Sequence, residues 1–582
     1  MRPASEALLA TSLLALPGVA LAASDAEFQF QDLLAARLVQ QVPEVLATFD
    51  ARTGRFGQGI WICTDQNAMY PLAVAYATRA EGNPHHKSTA LLEAIIKAGD
   101  ALIADADASG QWVFRKKDGS TWGKIYMPWT YSRWVRSFAL IRDDMPADAR
   151  QRWEKALTLG YTGISRSALA HVHNIPAHHA MGLYVAGQAL HRPEWCEQAA
   201  AFLRKVAGQQ SEGGYWSEGA GPVVIYNFVY MDALGTYYAL SGDEQVLPAL
   251  QKGAVFHRRF TYPSGEEVET IDQRNPFHEG VATGNVGFTF SPAGRAWLRD
   301  QWKLKGMDNL PADLIASCVL YGQEGPAEAA PKRDARELFV LTEGGVDRAA
   351  VLRQGPWFVC FSAYTAPISD SRWIQDRQNL VSIWHERIGL ILGGGNTKLQ
   401  PAWSNFTVGD MALLQHKAGD TQPDFRPKGE LYHVPSSATL IRGEEPGLDL
   451  VYGRQNCRLR IRIRDERTLQ YRLATDTGRS LAVAAHLTLI PHLKQPLETG
   501  GGRKELLAES PLSLTFDSLG GALQHAGWTL RLPEMATLHW PALPHNPYRK
   551  DGRAELGEGR IEVRIPLEGD QAAQTVTIEV NG

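Results

Sequence analysis

Cysteine is scarce in this 582-residue chain, and its five copies include no CxxC pair and no short metal-binding spacing. A zinc ribbon or a dense disulfide framework is therefore excluded, although a single bridge stays possible. An excess of one charge is also lacking, because 59 basic side chains face 63 acidic ones and the formal net charge is −4. No nucleic-acid partner is therefore predicted, since nothing in the overall charge would hold a phosphate backbone.

Signatures of bound cofactors are missing as well. The run from Gly393 to Asn396 is not a phosphate loop, because no Gly-Lys-Ser/Thr follows it on a helix, and no Rossmann fingerprint is present. Four histidines lie between His171 and His179, but they have no HExxH pattern and no cysteine partner. The sequence therefore predicts neither a cofactor nor a metal ion.

Long apolar runs are confined to the N-terminus. Leu8–Ala22 is almost wholly apolar, follows Arg2, and ends in Ala-Leu-Ala, which fits the small-residue rule for signal-peptide cleavage. The run is short for a membrane anchor, which needs roughly 20 residues, and an uncleaved anchor is the alternative. We therefore expect residues 1–23 to be a cleaved signal peptide. The mature chain should then be secreted or periplasmic and have no membrane span.

The hydrophobic pattern changes near residue 335. Before it, apolar residues recur at helical spacing in roughly ten segments joined by short turns, without a strict repeat. After it, some fifteen short segments rich in β-branched and aromatic residues are predicted as strands. The stretch 457–464 alternates Arg with Leu and Ile, as in a half-buried strand. The sequence predicts an α/α toroid over 24–330, a linker at Glu324–Arg336, and an antiparallel β-sandwich over 335–582.

The segment from His171 to Tyr184 carries the first site candidates. Asn174 followed by Pro176 suits the start of a helix, and His178 lies four residues further on the same face. An amide, an imidazole and the positive end of the helix dipole could together receive a carboxylate. Capping and core packing are the alternative roles for these two residues.

A Gly-rich stretch with Trp216 and Glu218 follows, and it predicts a tight, exposed turn before a helix. On that helix, Tyr226 and Tyr230 share a face by the i, i+4 rule. A tyrosine can give or take a proton when neighbouring cations lower its pKa from about 10. Either tyrosine could equally be a core residue.

Two further polar segments complete the set of candidates. The stretch 269–280 holds Arg274, which could clamp a carboxylate with two hydrogen bonds, and His278. A salt-bridged loop is the alternative there. The stretch 372–386 of the β half holds Arg377 and His385, and His385 fits a strand-surface residue as well as a functional group.

The order of these parts resembles the heparinase II/III-like and related alginate-lyase-type polysaccharide lyases. In that group a toroid and an antiparallel β domain form a cleft, an Asn or His neutralises a uronate carboxylate, and a Tyr with a His acts as base and acid. The resemblance implies neutralisation by Asn174 and His178, acid–base roles for Tyr226 or Tyr230, and His385 as the partner. The residues predicted to bind the substrate are Trp216, Glu218, Arg274, His278 and Arg377.

The chemistry that the resemblance implies is β-elimination from a uronic acid in an anionic polysaccharide or oligosaccharide. Removing the C5 proton builds a dianionic enolate, whose charge positioned donors must meet. One alternative is a toroid glycoside hydrolase, which needs two carboxylates across the cleft and has Asp65 and Glu218 available. The other is a non-catalytic glycan-binding protein, and a fold by itself does not choose among the three.

Overall fold

The computed structural model describes residues 27–117, 119–329, 335–417, 419–476 and 481–581. The predicted signal peptide and part of the predicted linker lie outside these residues. The first half is mainly helical, with α1 Gln31–Leu46, α2 Met69–Ala77, α3 Thr89–Asp105, α4 Pro128–Ile141, α5 Ala147–Ser167, α6 Asn174–Ala189, α7 Pro193–Gly208, α8 Val224–Ser241, α9 Leu247–Arg259, α10 Pro292–Lys305 and α11 Ala312–Tyr321. Its short strands are β1 Glu27–Phe28, β2 Phe49–Asp50, β3 Arg55–Phe56, β4 Trp112–Arg115, β5 Thr121–Ile125 and β6 Gly325–Pro326.

The helices form two layers. Helices α2, α4, α6, α8 and α11 pack side by side as an inner row, and α11 contacts both α8 and α2, which brings the two ends of the row together. Helices α1, α3, α5, α7, α9 and α10 pack around this row. The arrangement is the α/α toroid that the sequence predicts. None of the helices that the structure describes is long and apolar enough to cross a bilayer.

The inner helices all run in the same direction. Within their first two turns, Ser132 of α4 contacts His178 of α6, and Arg133 of α4 pairs with Asp313 of α11. Arg136 is buried one turn further along α4 and lies over the ring of Tyr70, at the start of α2. These contacts bring the N-terminal ends together at one end of the toroid. Because each such end carries a partial positive charge, that rim favours anions.

The second half is built of strands. They are β7 Glu337–Glu343, β8 Val346–Gln354, β9 Trp357–Ser362, β10 Val381–His385, β11 Gly389–Leu392, β12 Phe406–Gly409, β13 Leu431–Tyr432, β14 Ser437–Ile441, β15 Gly447–Tyr452, β16 Gln455–Ile463, β17 Thr468–Thr475, β18 Val483–Leu489, β19 Pro496–Thr499, β20 Lys504–Leu506, β21 Leu512–Leu514, β22 Ala522–His525, β23 Trp528–Arg531, β24 Thr537–Ala542, β25 Arg560–Pro566 and β26 Ala573–Val580, with one short helix, α12 Phe516–Leu519.

These strands form two antiparallel sheets. One sheet has the order β21-β24-β25-β18-β11-β10-β9-β8-β7, with β12 and β13 beside β18, and the other has the order β14-β15-β16-β17-β26-β23-β22-β19-β20. Their facing sides share one apolar core. In β16, Cys457, Leu459 and Ile461 point into this core, as the alternation predicts. The antiparallel β-sandwich is thus confirmed.

The outer face of the first sheet packs on the helical half through a second apolar cluster that includes Tyr262, Phe358 and Trp384. The run Gly393–Gly395 lies in the same interface, with positive φ at each glycine. A Cβ at Gly395 would lie 3.0 Å from the Cα of Pro276, in the helical half. This glycine run therefore allows close packing between the halves. All five cysteines are free, so the single bridge that the sequence left possible is not formed.

Candidate active site

The N-terminal end of α6 contributes His173 and Asn174. The sequence suggested Asn174 as the cap, whereas the structure makes it the first helical residue, with Oδ1 accepting a hydrogen bond from the next backbone N–H, that of Ile175, at 2.5 Å. His173 flanks the helix and keeps 59% of its side chain exposed. Both residues therefore lie at the rim where the inner helices begin.

Glu218 links this rim to α8. The Gly-rich stretch forms the predicted tight turn, with Ser217 paired to Pro222 across it. From that turn, the Glu218 carboxylate accepts a hydrogen bond from the Tyr230 hydroxyl at 2.6 Å and lies 3.7 Å from His173 Nδ1. Glu218 thus contacts groups on two neighbouring inner helices.

Tyr230 and Trp216 are core residues. Their rings stack at 4.8 Å, both are buried, and the Trp216 indole donates to the Val206 carbonyl. Burial, together with the nearby Glu218 charge, holds the pKa of Tyr230 far above its usual value. The structure therefore gives Tyr230 a positioning role beside Glu218, and it does not bring Trp216 to the cleft.

Tyr226 lies one turn before Tyr230 and is only half-buried. The guanidinium of Arg274 lies 5.1 Å from its ring centroid and 5.3 Å from that of Trp373, so the arginine sits between the two aromatic rings. Burial raises the pKa of Tyr226, and Arg274 opposes that effect only in part. The phenol therefore stays protonated at neutral pH and can donate its proton.

Arg274 has no carboxylate within ion-pair distance among the described residues, and its buried Nε has no acceptor. Asp272 fixes the loop: its carboxylate accepts from the backbone N–H groups of Arg274 and Asn275 at 2.6 and 2.8 Å, and from that of Val224 at 2.6 Å. Val224 is the first residue of α8. Asp272, which the sequence did not single out, thus ties the Arg274 loop to the Tyr226 helix.

His178 is not at the cleft, although it shares a helix face with Asn174. It is 2% exposed, its Nε2 lies 2.7 Å from Ser132 Oγ, and its Nδ1 lies 3.7 Å from Asp232. Burial and the nearby Arg133 and Arg136 hold its pKa well below the usual range. A neutral, enclosed imidazole cannot contact a substrate carboxylate, so direct neutralisation by His178 is not supported.

His385 is also remote from these residues. Its Nε2 lies 3.0 Å from the Glu466 carbonyl oxygen, its Nδ1 accepts from the Arg387 N–H, and its ring packs on Trp357. It is the last residue of β10, roughly 13 Å along the strand from Val381. Strand alternation gives the face of a side chain but not its distance along the cleft, and the structure does not bring His385 to Tyr226.

Arg377 is a positioning residue. Fully buried, it donates to the Ile271 carbonyl at 2.6 Å and to the Ala220 carbonyl at 3.0 Å. Gly221 has φ +113°, and a Cβ there would lie 2.8 Å from the Arg377 guanidinium. Arg377 thus holds the Gly-rich turn and the loop before Arg274 together, and it does not reach solvent.

His278 is exposed but belongs to a different part of the surface. It lines a cavity of about 470 Å³ with Glu279, His492 and Arg560. Partial loss of water around its ring and the charge of Arg560 lower the pKa of His278. Another cavity, of about 820 Å³, lies between the halves near Arg353, and none of its described lining residues belongs to the group around Tyr226.

The candidate site therefore comprises His173, Asn174, Glu218, Tyr226 and Arg274, with Asp272, Tyr230 and Arg377 behind them. Sequence reasoning missed His173, although it stands within the quoted histidine segment. Within the described ranges, no three His, Cys, Asp or Glu side chains are arranged to hold a metal ion.

Comparison with known proteins gives matches only among solved structures. No family model and no curated protein matches the chain. A mutant of Streptomyces coelicolor A3 chondroitin AC lyase is 14% identical, with a TM-score of 0.49 over 95% of this chain and 80% of that one. Heparinase III is 12% identical, with a TM-score of 0.49 over 89% and 77% of the two chains. Heparan sulfate lyase HepC from Pedobacter heparinus is 10% identical, with a TM-score of 0.46 over 96% and 84%.

Heparinase III, from the group of lyases that the sequence resembles, is thus among the similar structures. With identities of 10–14% and TM-scores below 0.5, these matches assign no activity to this chain. The toroid and the sandwich are established by the helices and strands of the chain itself.

Proposed function

We propose that this protein is a polysaccharide lyase that cleaves a uronate-containing polysaccharide by β-elimination. The observation that carries the proposal is Arg274, a cation without an acidic partner among the described residues, held between the rings of Tyr226 and Trp373. A fully buried charged group is normally paired, and the buried Nε of Arg274 has no acceptor. An unpaired Arg274 beside the half-buried Tyr226 suits an anionic ligand that supplies the missing carboxylate.

The charge around Arg274 supports the same ligand class. The inner helices direct their positive ends to this rim, and Asn174 lies in the first turn of one of them. A uronate carboxylate bound there would meet a guanidinium, an amide and helix dipoles. The enolate formed from it carries more negative charge, so these groups stabilise the transition state more than the ground state.

Two groups are available for the proton transfers. His173 is exposed, and Glu218 at 3.7 Å from its Nδ1 would stabilise the imidazolium that forms when His173 takes the C5 proton. The electron pair left at C5 forms the C4–C5 double bond as the C4–O4 bond breaks. The departing O4 takes the proton of the Tyr226 hydroxyl. In this scheme His173 takes the place that the sequence gave to His385.

The test is to follow the ultraviolet absorbance of unsaturated chain ends on a panel of uronate polysaccharides. Tyr226→Phe removes only the hydroxyl and should lower turnover by about 10²–10⁴. Tyr238→Phe is the matched control, since it removes the same atom near the C-terminal end of the same helix and costs mainly the hydrogen bond to Glu244.

Three results would contradict the proposal. Near-normal turnover of Tyr226→Phe would remove its acid role. Cleavage without ultraviolet absorbance would indicate a hydrolase, for which Asp65, now paired with Lys117, and Glu218 are the carboxylates. Saturable binding with no product would indicate a glycan-binding protein. Export of the chain and a secreted or periplasmic location stay predictions, because residues 1–26 lie outside the described structure.

A further inference from the structure

The two halves of the protein meet at a second place, across the cleft. The hairpin β4–β5 leaves the toroid between α3 and α4 and carries Trp122, whose ring centroid lies 5.6 Å from that of Trp373 in the β half. Trp373 in turn lies 5.4 Å from Tyr548. We call Trp122, Trp373 and Tyr548 the aromatic bridge. Its centroid distances are those of rings in contact.

Both ends of the aromatic bridge are anchored. On the toroid side, hairpin residues Lys117 and Lys124 pair with Asp65 and Asp107, at 2.7 and 2.9 Å. On the other side, Arg372, next to Trp373, donates to the backbone carbonyls of Arg549 and Lys550, beside Tyr548. Each end of the bridge is therefore tied to its own half of the protein by side-chain contacts.

The aromatic bridge also adjoins the candidate site directly. Arg274 lies against Trp373 at 5.3 Å and against Tyr226 at 5.1 Å. One side chain therefore separates the proposed acid from the bridge. Trp122 and Tyr548 keep 51% and 53% of their surfaces exposed, and the Lys116 ammonium lies over both rings, 4.3 and 5.9 Å from their centroids.

We propose that the aromatic bridge restricts the protein to the ends of polysaccharide chains, so that it is an exolytic lyase. The inference rests on the proposed function. An internal stretch of polymer can reach Tyr226 only by entering the cleft sideways, and rings in contact across the cleft prevent this. Whether the chain stops at the bridge or passes beneath it, one end must enter first.

The first experiment compares viscosity with ultraviolet absorbance on the polymer that gives unsaturated ends. The unmodified protein should release small products while viscosity stays high. Trp122→Ala opens the bridge from the toroid side, and viscosity should then fall severalfold faster at equal absorbance. Val113→Ala, at an exposed position of the same hairpin, is the matched control and should behave like the unmodified protein. A rapid early loss of viscosity with the unmodified protein would overturn the inference while leaving the lyase reaction intact.

The second experiment does not depend on turnover. Calorimetry would compare the binding of Tyr226→Phe to the same uronate polymer cut to two chain lengths, at equal sugar mass. Binding in proportion to the number of chain ends supports the inference. Binding in proportion to sugar mass overturns it, even where no product forms. If no polymer of the panel is bound or cleaved, the proposed function is wrong and the inference fails with it.

Discussion

Replacing Arg274 with alanine tests the carboxylate site directly. In the free protein the side chain makes two ring contacts and no ion pair among the described residues. Each cation–π contact contributes about 0.5–1 kcal/mol, so the free energy of unfolding should fall by only about 1–2 kcal/mol. No buried carboxylate is left without its partner, which is the usual cause of larger losses.

The effect on catalysis should be greater. A hydrogen bond to a charged group contributes about 1.5–3 kcal/mol, which corresponds to about a 10- to 150-fold loss of turnover. Because the enolate carries more charge than the bound uronate, the loss should appear mainly in kcat. Arg274→Lys keeps the charge without the planar fork and should recover part of it. Arg454→Ala, at an exposed position between β15 and β16, is the control.

Two further measurements separate the charge of Arg274 from its packing. On a methyl-esterified polymer the loss should shrink, since the charge that Arg274 meets is gone. Arg274 also lowers the pKa of Tyr226. Without it, the alkaline limb of kcat/KM, where Tyr226 loses its proton, should move to higher pH. Equal losses on the free acid and its ester, with an unshifted limb, would refute the carboxylate role.

Two predictions concern stability. Both ring nitrogens of buried His257 lack hydrogen-bond partners, and burial lowers its pKa to about 3. Below pH 6.5 the unfolded chain therefore binds a proton that the folded chain does not. The free energy of unfolding should then fall by about 1.4 kcal/mol per pH unit. Urea unfolding at pH 7 and pH 5 should show a smaller fall for His257→Phe, and equal falls would contradict the assignment. Arg377→Met leaves the Ile271 and Ala220 carbonyls unpaired and should lower the free energy of unfolding by roughly 2–5 kcal/mol in the same assay. A decrease no larger than that of Arg454→Ala would contradict the positioning role of Arg377.

The architecture and part of the site could be predicted from sequence because the signals are local. The change from helical to alternating periodicity separates the toroid from the sandwich. The i, i+4 spacing places Tyr226 and Tyr230 on one helix, and Arg274 follows in a loop that returns to its start. The i, i+4 relation lies within about one turn of helix, where spacing determines position, whereas Arg274 lies 48 residues after Tyr226 and meets it only through the fold.

The remaining features depend on contacts between distant segments. Trp122 meets Trp373 across 251 positions, and no periodicity links them. His178 and Asn174 share a helix face, but only the packing of neighbouring helices makes one buried and leaves the other near the rim. The hairpin β4–β5 was missed although it had a signal: Asp-Gly at 118–119 lies between two short aromatic segments.

The glycine run 393–395 has a consequence for the width of the cleft. A Cβ at Gly395 would lie 3.0 Å from the Cα of Pro276 in the helical half, and Phe277 of the same half donates to the Gly394 carbonyl at 3.2 Å. With no side chain as a spacer, the gap between toroid and sandwich is set by the thickness of the main chain. A methyl group added at Gly395 would press on Pro276 and shift one half of the protein against the other. The width available to a branched or substituted polymer therefore depends on glycines that take no part in the reaction. A substitution there can change this width without altering any group that contacts the sugar.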